Sequence, residues 1–277
     1  MEASDKRLIV AISPHIKDEE TTARIMWTVS LALLPAFLMS AYYFGPRALM
    51  VTSVSVISCV VFEALTQMIL KRKVTVSDGS AFLTGLLLGL NLPSSLPLYQ
   101  PVIGSMVAIV ITKHLFGGLG YNIFNPALIG RTFMIVTWPR AMTTWYEPVA
   151  SITSMDAVTT ATPLGILKEE GMSKLVEVFG TKSDLYVSLF IGDRAGSLGE
   201  TSIIALLLGA AFLLYRGYIT WHIPFSFIAT VVALTWIFGG KDALFTGDPI
   251  LHFLSGGLVV GAFFISTDYV TSPTVRT

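Results

Sequence analysis

Seven apolar runs, each about as long as a bilayer is thick, constrain this chain more than any other feature. A helix rises about 1.5 Å per residue, so roughly 17–25 apolar residues cross a hydrocarbon core. Such runs occupy 24–43, 47–70, 99–116 and 121–138, and after a polar interval 201–215, 219–238 and 249–267. An eighth, 81–92, lies between Ser77-Asp78-Gly79 and a turn running from Pro93 to Pro97. It is short for a full crossing and reads as a half-helix or a tilted span. Backbone groups in lipid must be satisfied within their own segment, so the expected fold is an all-α integral membrane protein of about eight transmembrane helices with a long external loop. Only 13% of the residues are charged, against roughly a quarter in soluble domains, and mean hydropathy is +0.71.

Basic residues orient the spans. Lys6, Arg7, Lys17 and Arg24 precede the first run, Lys71-Arg72-Lys73 follow the second, and Arg216 lies in the tight turn after 201–215. If the short run crosses, all of them fall on one side, and the positive-inside rule makes that side cytoplasmic. The expected organisation is a cytoplasmic N-terminal segment (1–23), a first helix bundle (24–138), an external loop (139–200), a second bundle (201–267) and a C-terminal tail (268–277). The N-terminal segment has no apolar core of a cleaved signal peptide.

Thr84-Gly85-Leu86-Leu87-Leu88-Gly89 resembles Gly256-Gly257-Leu258-Val259-Val260-Gly261 five spans later, and an odd offset reverses the second copy. That pattern marks an inverted repeat, although small residues spaced for helix contact produce part of it by packing alone. Two spans follow the first copy and none the second, so the expectation is a ten-helix inverted-repeat architecture lacking its last two helices.

Charge and cysteine content narrow the chemistry. The 18 basic and 18 acidic residues cancel and form no basic face, which argues against nucleic acid. The lone Cys59 excludes an all-cysteine iron-sulfur or zinc site made by this chain alone, and His15, His114, His222 and His252 show no metal-ligand spacing. No metal site and no complete catalytic site is expected. Glu63 lies well inside the second span, where a carboxylate is costly and by default functional; reaching toward the interface near Lys71, or pairing with another helix, is the plainer alternative. Asp78 and Asp268 end the two repeat-related elements and are further ion-pathway candidates, with capping and turn roles as the alternative. Asn125-Pro126 at the head of a span reads as an N-cap followed by a helix-initiating proline.

The loop holds Asp156-Ala157-Val158-Thr159-Thr160-Ala161-Thr162. A threonine hydroxyl is a weak nucleophile, so modification of Thr162 needs an enzyme that reads the surrounding peptide. From the residues alone, a threonine-rich solvated loop is the simpler reading.

Asp-x-x-Thr-Thr-Ala-Thr resembles the flavinylation sequence read by the bacterial FMN transferase. Ile12-Ser13-Pro14-His15-Ile16, Ser77-Asp78-Gly79-Ser80, Gly120-Tyr121-Asn122-Ile123-Phe124-Asn125-Pro126-Ala127, Gly196-Ser197-Leu198-Gly199-Glu200-Thr201 and Thr267-Asp268-Tyr269-Val270-Thr271-Ser272-Pro273 are similar to signatures of the RnfD/NqrB family, in its order. The short N-terminus looks like RnfD, since NqrB carries a longer extension there. The resemblance implies FMN joined to Thr162 by a phosphoester, with Asp156, Thr159, Thr160 and Ala161 completing the recognition motif. It further implies a subunit of a ferredoxin:NAD oxidoreductase in the bacterial cytoplasmic (inner) membrane that couples electron flow to Na+ or H+ transport. The implied partners are the other Rnf subunits, including iron-sulfur and FMN-bearing ones, the FMN transferase and membrane lipid; a second, noncovalent flavin such as riboflavin is a further expectation. The competing reading, from a different class, is a secondary transporter or channel with an unmodified structural loop.

Overall fold

The computed structural model describes residues 20–148, 159–240 and 243–272, with the backbone alone for Thr159 and Thr160. Asp156 and the 12–16 signature lie outside the described residues. The first run folds as two nearly continuous helices, α1 (Thr22–Ala32) and α2 (Leu34–Phe44). Thr21 caps α1 by accepting the Arg24 amide, and the ladder breaks at Leu33 because Pro35 has no amide hydrogen to give. Gly45, at φ +64°, then turns the chain into α3 (Pro46–Ile69). Thr22–Phe44 and Pro46–Ile69 are the two described segments long and apolar enough to cross a membrane by length and composition.

The short run is α4 (Ser80–Leu90), preceded by a 3-10 turn at Val76–Asp78. Most of its residues are buried, and it lies close against α3: a Cβ on Gly85 would stand 2.6 Å from the Val56 Cα, and one on Gly89 would stand 2.9 Å from the Thr52 Cα. Small residues four apart let two backbones approach this closely. The next run starts as α5 (Tyr99–Met106) and continues in π geometry over Val107–His114. The run expected at 121–138 becomes helical only at α6 (Pro126–Thr137), since glycines 117, 118 and 120 hold positive φ before it and Asn125 caps it by accepting the Ala127 and Leu128 amides.

The expected loop is itself folded. It contains α7 (Pro139–Met142), the strands β1 (Trp145–Tyr146) and β2 (Thr159–Thr160), α8 (Pro163–Glu169), α9 (Met172–Phe179) and α10 (Lys182–Ile191). The strands pair antiparallel, Trp145 opposite Thr160, and are one small departure from an otherwise helical chain. Leu175, Leu185 and Leu189 are fully buried and join the core formed by the long helices. Leu198 and Gly199 donate to the Leu92 and Leu90 carbonyls, which ties the end of this segment to the end of α4.

Two apolar helices follow, α11 (Ile203–Tyr215) and α12 (His222–Phe238). Among the residues of α12 only Pro224 is buried, and Phe225, Leu234, Trp236 and Phe238 point outward as they would toward lipid. The run expected as one span at 249–267 is broken. It comprises α13 (Pro249–Leu254), α14 (Leu258–Val260) and a π turn (Gly261–Ile265), because Ser255 is extended and Gly256 sits at φ +65°.

Candidate functional site

Thr162 is half-buried with extended backbone (φ −64°, ψ 154°), and its Oγ accepts the Gly165 amide at 3.2 Å as the cap of α8; Ala161 beside it is exposed. Thr162 lines a cleft of about 230 Å³ together with Trp145, Arg131, Arg194 and Glu200. Arg194 is 3% exposed. One of its terminal nitrogens donates to the Glu200 carbonyl at 2.6 Å, and its Nε is buried with no partner among the described residues. Arg131 repeats the arrangement, donating to Asn91 Oδ1 at 3.2 Å while its own Nε goes unanswered. Burial pushes the Arg194 guanidinium below its ordinary value and the Glu200 carboxylate opposes that shift; a guanidinium titrates so high that it stays charged.

Two arginines lining one cleft give it the positive charge that suits an anionic or acceptor-rich group. A phosphodiester on Thr162 Oγ would bring one negative charge to two guanidiniums and one carboxylate, and the Trp145 ring offers a face to a planar heterocycle. The residues present fit the expected FMN. A neighbouring cleft of about 530 Å³ shares Arg131 and Gly257 with the first and is lined by Phe124, Phe227, Asn91 and Asn125. Among the described residues no group of three or more His, Cys, Asp or Glu could hold a metal.

A second cluster lies within the helices. Glu63, 1% exposed, does not reach toward Lys71; it pairs with Lys113, 2% exposed, whose Nζ donates to Oε1 at 2.8 Å, to Oε2 at 2.6 Å and to Ser80 Oγ at 2.7 Å. Gln67 also donates to Glu63, at 3.3 Å. His114 Nε2 stands 3.8 Å from Glu63 Oε1, and neither of its ring nitrogens has a hydrogen-bond partner among the described residues. Asp78 accepts from the Ser80 amide (2.8 Å) and hydroxyl (2.6 Å), which starts α4. Asp268 accepts the Thr271 hydroxyl at 3.1 Å in a turn after the last helix. Both acidic residues therefore have the turn and capping contacts of the simpler reading. Asp268 also lines a small cavity with Ser80, Lys113, Asn122 and Asn125, so the ends of the two repeat-related elements meet around one space.

Lys113 was not among the expected site residues. The signal was available, because a lysine inside an apolar run is as costly in lipid as the glutamate that drew attention. Arg131, in the middle of the apolar run 121–138, carried the same signal, whereas Arg194 in the polar interval carried none.

Comparison with known proteins gives a consistent result. The model of the family described as NQR2, RnfD, RnfE matches residues 9–277. A protein of Clostridium ljungdahlii, named as the D component of a proton-translocating ferredoxin:NAD(+) oxidoreductase complex, is 53% identical over 98% of this chain and 82% of its own length. The Na(+)-translocating counterpart of Acetobacterium woodii is 43% identical over 98% of this chain and 80% of its own. The corresponding component of an ion-translocating oxidoreductase complex of Rhodobacter capsulatus is 41% identical over 94% and 78%.

Proposed function

This chain belongs to the NQR2, RnfD, RnfE family, and from that premise we propose that it is the membrane subunit of an Rnf-type ferredoxin:NAD oxidoreductase complex, carrying electrons through FMN esterified to Thr162 and contributing to coupled Na+ or H+ movement. The observation that carries the flavin reading is the cleft at Thr162, which half-buried Arg131, buried Arg194 and Trp145 line together with that threonine. Bound there, FMN would supply reversible electron acceptance, its ring being left intact by a phosphoester. The protein's part would be to tether and orient: Thr162 would hold the phosphate, Arg131 and Arg194 would answer its charge, and Trp145, which lines the same cleft, would offer the ring a flat apolar neighbour. Asp156, Thr159, Thr160 and Ala161 form the peptide read by the FMN transferase.

A second, noncovalent flavin such as riboflavin has its best-matched place in the larger cleft between Phe124 and Phe227, one arginine away from the first. The topology under this reading is the bacterial cytoplasmic membrane with the N-terminus inside, the Thr162 segment outside, and an inverted repeat whose second copy breaks at Gly256. Partners are the other Rnf subunits, including those bearing iron-sulfur and FMN centres, and surrounding lipid. Glu63, Asp78 and Asp268 are assigned to the ion route, with Glu63 the deepest.

The test is a denaturing gel under ultraviolet light after coexpression with the FMN transferase. A fluorescent band migrating with the polypeptide and lost in Thr162→Ala is expected. A band that survives Thr162→Ala would overturn the attachment site. No flavin at any stoichiometry, with solute flux from the subunit alone, would replace this reading with a transporter carrying an unmodified loop.

A further inference from the structure

The cation that neutralises Glu63 is part of the protein. An ammonium has three protons to donate, and at Lys113 all three are used, two on the Glu63 carboxylate and one on Ser80. Both carboxylate oxygens are therefore engaged at hydrogen-bond distance. A metal cation approaching them would meet the Lys113 charge at contact range, in surroundings where like charges repel far more strongly than in water. A proton needs only one carboxylate lone pair and no shell of oxygen ligands.

The backbone that delivers Lys113 is unusual as well. Lys113 and His114 close the π-helical stretch Val107–His114, and π turns within helices concentrate at functional sites. From the pair a hydrogen-bonded line leads outward: Lys113 donates to the Ser80 hydroxyl, which donates to half-buried Asp78 at the turn before α4. The titratable and charged groups facing the pair are Asp78 on that turn, Cys59 one helical turn earlier on α3, His114 on the π stretch, Arg72, which donates to the Gly117 carbonyl, and Asp268, Tyr218 and Tyr269, which share a small cavity with Lys113 and Ser80. The relatives at 53% and 43% identity are named for different ions, so family membership does not fix the coupling ion and a local determinant is needed.

We propose that the Glu63–Lys113 pair is a proton-carrying site, and that Lys113 excludes sodium from it by filling the cation position on Glu63. The inference rests on the reading that Glu63 lies on the ion route, and it names the ion. In the step, an O–H bond forms on a Glu63 carboxylate oxygen as a Lys113 N–H bond breaks, Lys113 regains a proton from the Ser80 hydroxyl, and Ser80 regains one from protonated Asp78 or a hydronium at the turn. No electron changes hands, and the pair passes from net charge zero to plus one. Release of that proton along the same line restores the ion pair, with Lys113 an ammonium before and after each transfer.

The assembled complex in liposomes, driven by reduced ferredoxin, tests this. Wild type should acidify or alkalinise the lumen equally in sodium-free and sodium-rich buffer and accumulate no ²²Na+, and Glu63→Gln should lose that proton movement. Lys113→Met opens the cation position, and its transport should become stimulated about tenfold or more by sodium, with ²²Na+ uptake that resists a protonophore. Sodium-independent transport in Lys113→Met overturns the role of Lys113 while leaving Glu63 on the route; full transport in Glu63→Gln overturns the route itself. If Lys113→Met fails to assemble, wild type decides: protonophore-resistant ²²Na+ uptake that Glu63→Gln abolishes overturns the proposal, and proton uptake that Glu63→Gln abolishes, without ²²Na+, supports it.

Discussion

The cleft at Thr162 and the pair at Glu63 both bury cations, and they treat them in opposite ways. Lys113 has an acceptor for every proton, whereas Arg131 and Arg194 each keep a buried Nε with none among the described residues. A satisfied buried pair is self-contained: it is stable as it stands and changes state by gaining or losing a proton. An unsatisfied guanidinium is incomplete without a ligand, because a donor hidden from water costs free energy until something accepts from it. The outer cleft thus offers cationic groups to a ligand, whereas the Glu63–Lys113 pair completes its own hydrogen bonds, with His114 beside it the exception whose ring nitrogens have no partner among the described residues.

The contrast is broken most severely by removing one member of the inner pair. Glu63→Ala leaves the Lys113 ammonium buried with only the Ser80 hydroxyl and no counter-charge, and breaking such pairs costs about 3–5 kcal/mol. The expected result is a sharply lowered Tm of the purified complex. Glu63→Gln/Lys113→Met, which removes both charges together, should recover most of the loss. If the double variant is as unstable as Glu63→Ala, the pair is not the closed unit described here.

At the outer cleft the same operation should do much less to the protein and more to its ligand. Arg194→Gln surrenders a hydrogen bond to the Glu200 carbonyl but also relieves an unanswered donor. In the flavin-free subunit Tm should move little. In the flavinylated protein the gel band should persist while the flavin loosens, read as lower fluorescence anisotropy and a shifted ³¹P resonance. A lost charge-assisted contact of about 1.5–3 kcal/mol sets the scale. Unchanged anisotropy would mean the guanidinium faces something other than the flavin.

These two places differ in how visible they were before folding. The spans at 24–43 and 47–70 match helices closely, because long apolar runs leave lipid-facing backbone no alternative. Glu63 stood out for the same reason in reverse. Its partner lay fifty residues away, and nothing in local pattern says that α3 and the π stretch meet with Glu63 and Lys113 in register. Folding within the 139–200 segment was also hidden. Its helices are short and amphipathic, and Leu175, Leu185 and Leu189 acquire a core only by docking on the bundle. The break at Gly256 was masked by an apolar run whose composition is that of an unbroken span. The motif at Thr162 was legible as a string of letters. That it borders half-buried Arg131 from α6 and buried Arg194 from the turn after α10 is a property of the tertiary fold alone.

The smallest expected effect asks whether openness belongs to the cleft or to the whole outer segment. Tyr186 on α10 donates its hydroxyl to Asp248 Oδ2 at 2.5 Å, a fully answered contact within reach of the same outer segment. Burial first, and then the hydrogen bond and charge of Asp248, raise the Tyr186 phenol from 10.0 to about 12. The folded state therefore favours the protonated phenol, so its contribution is complete below about pH 10 and disappears as pH rises through about 12. Tyr186→Phe should lower stability slightly at neutral pH, and the gap from wild type should close across that alkaline window. A gap that stays constant to pH 12 would show that the phenol acts by packing and not through its proton. A gap that closes would show that the contact joining α10 to the cap of α13 acts through the phenol's proton, as a satisfied pair like the one at Glu63.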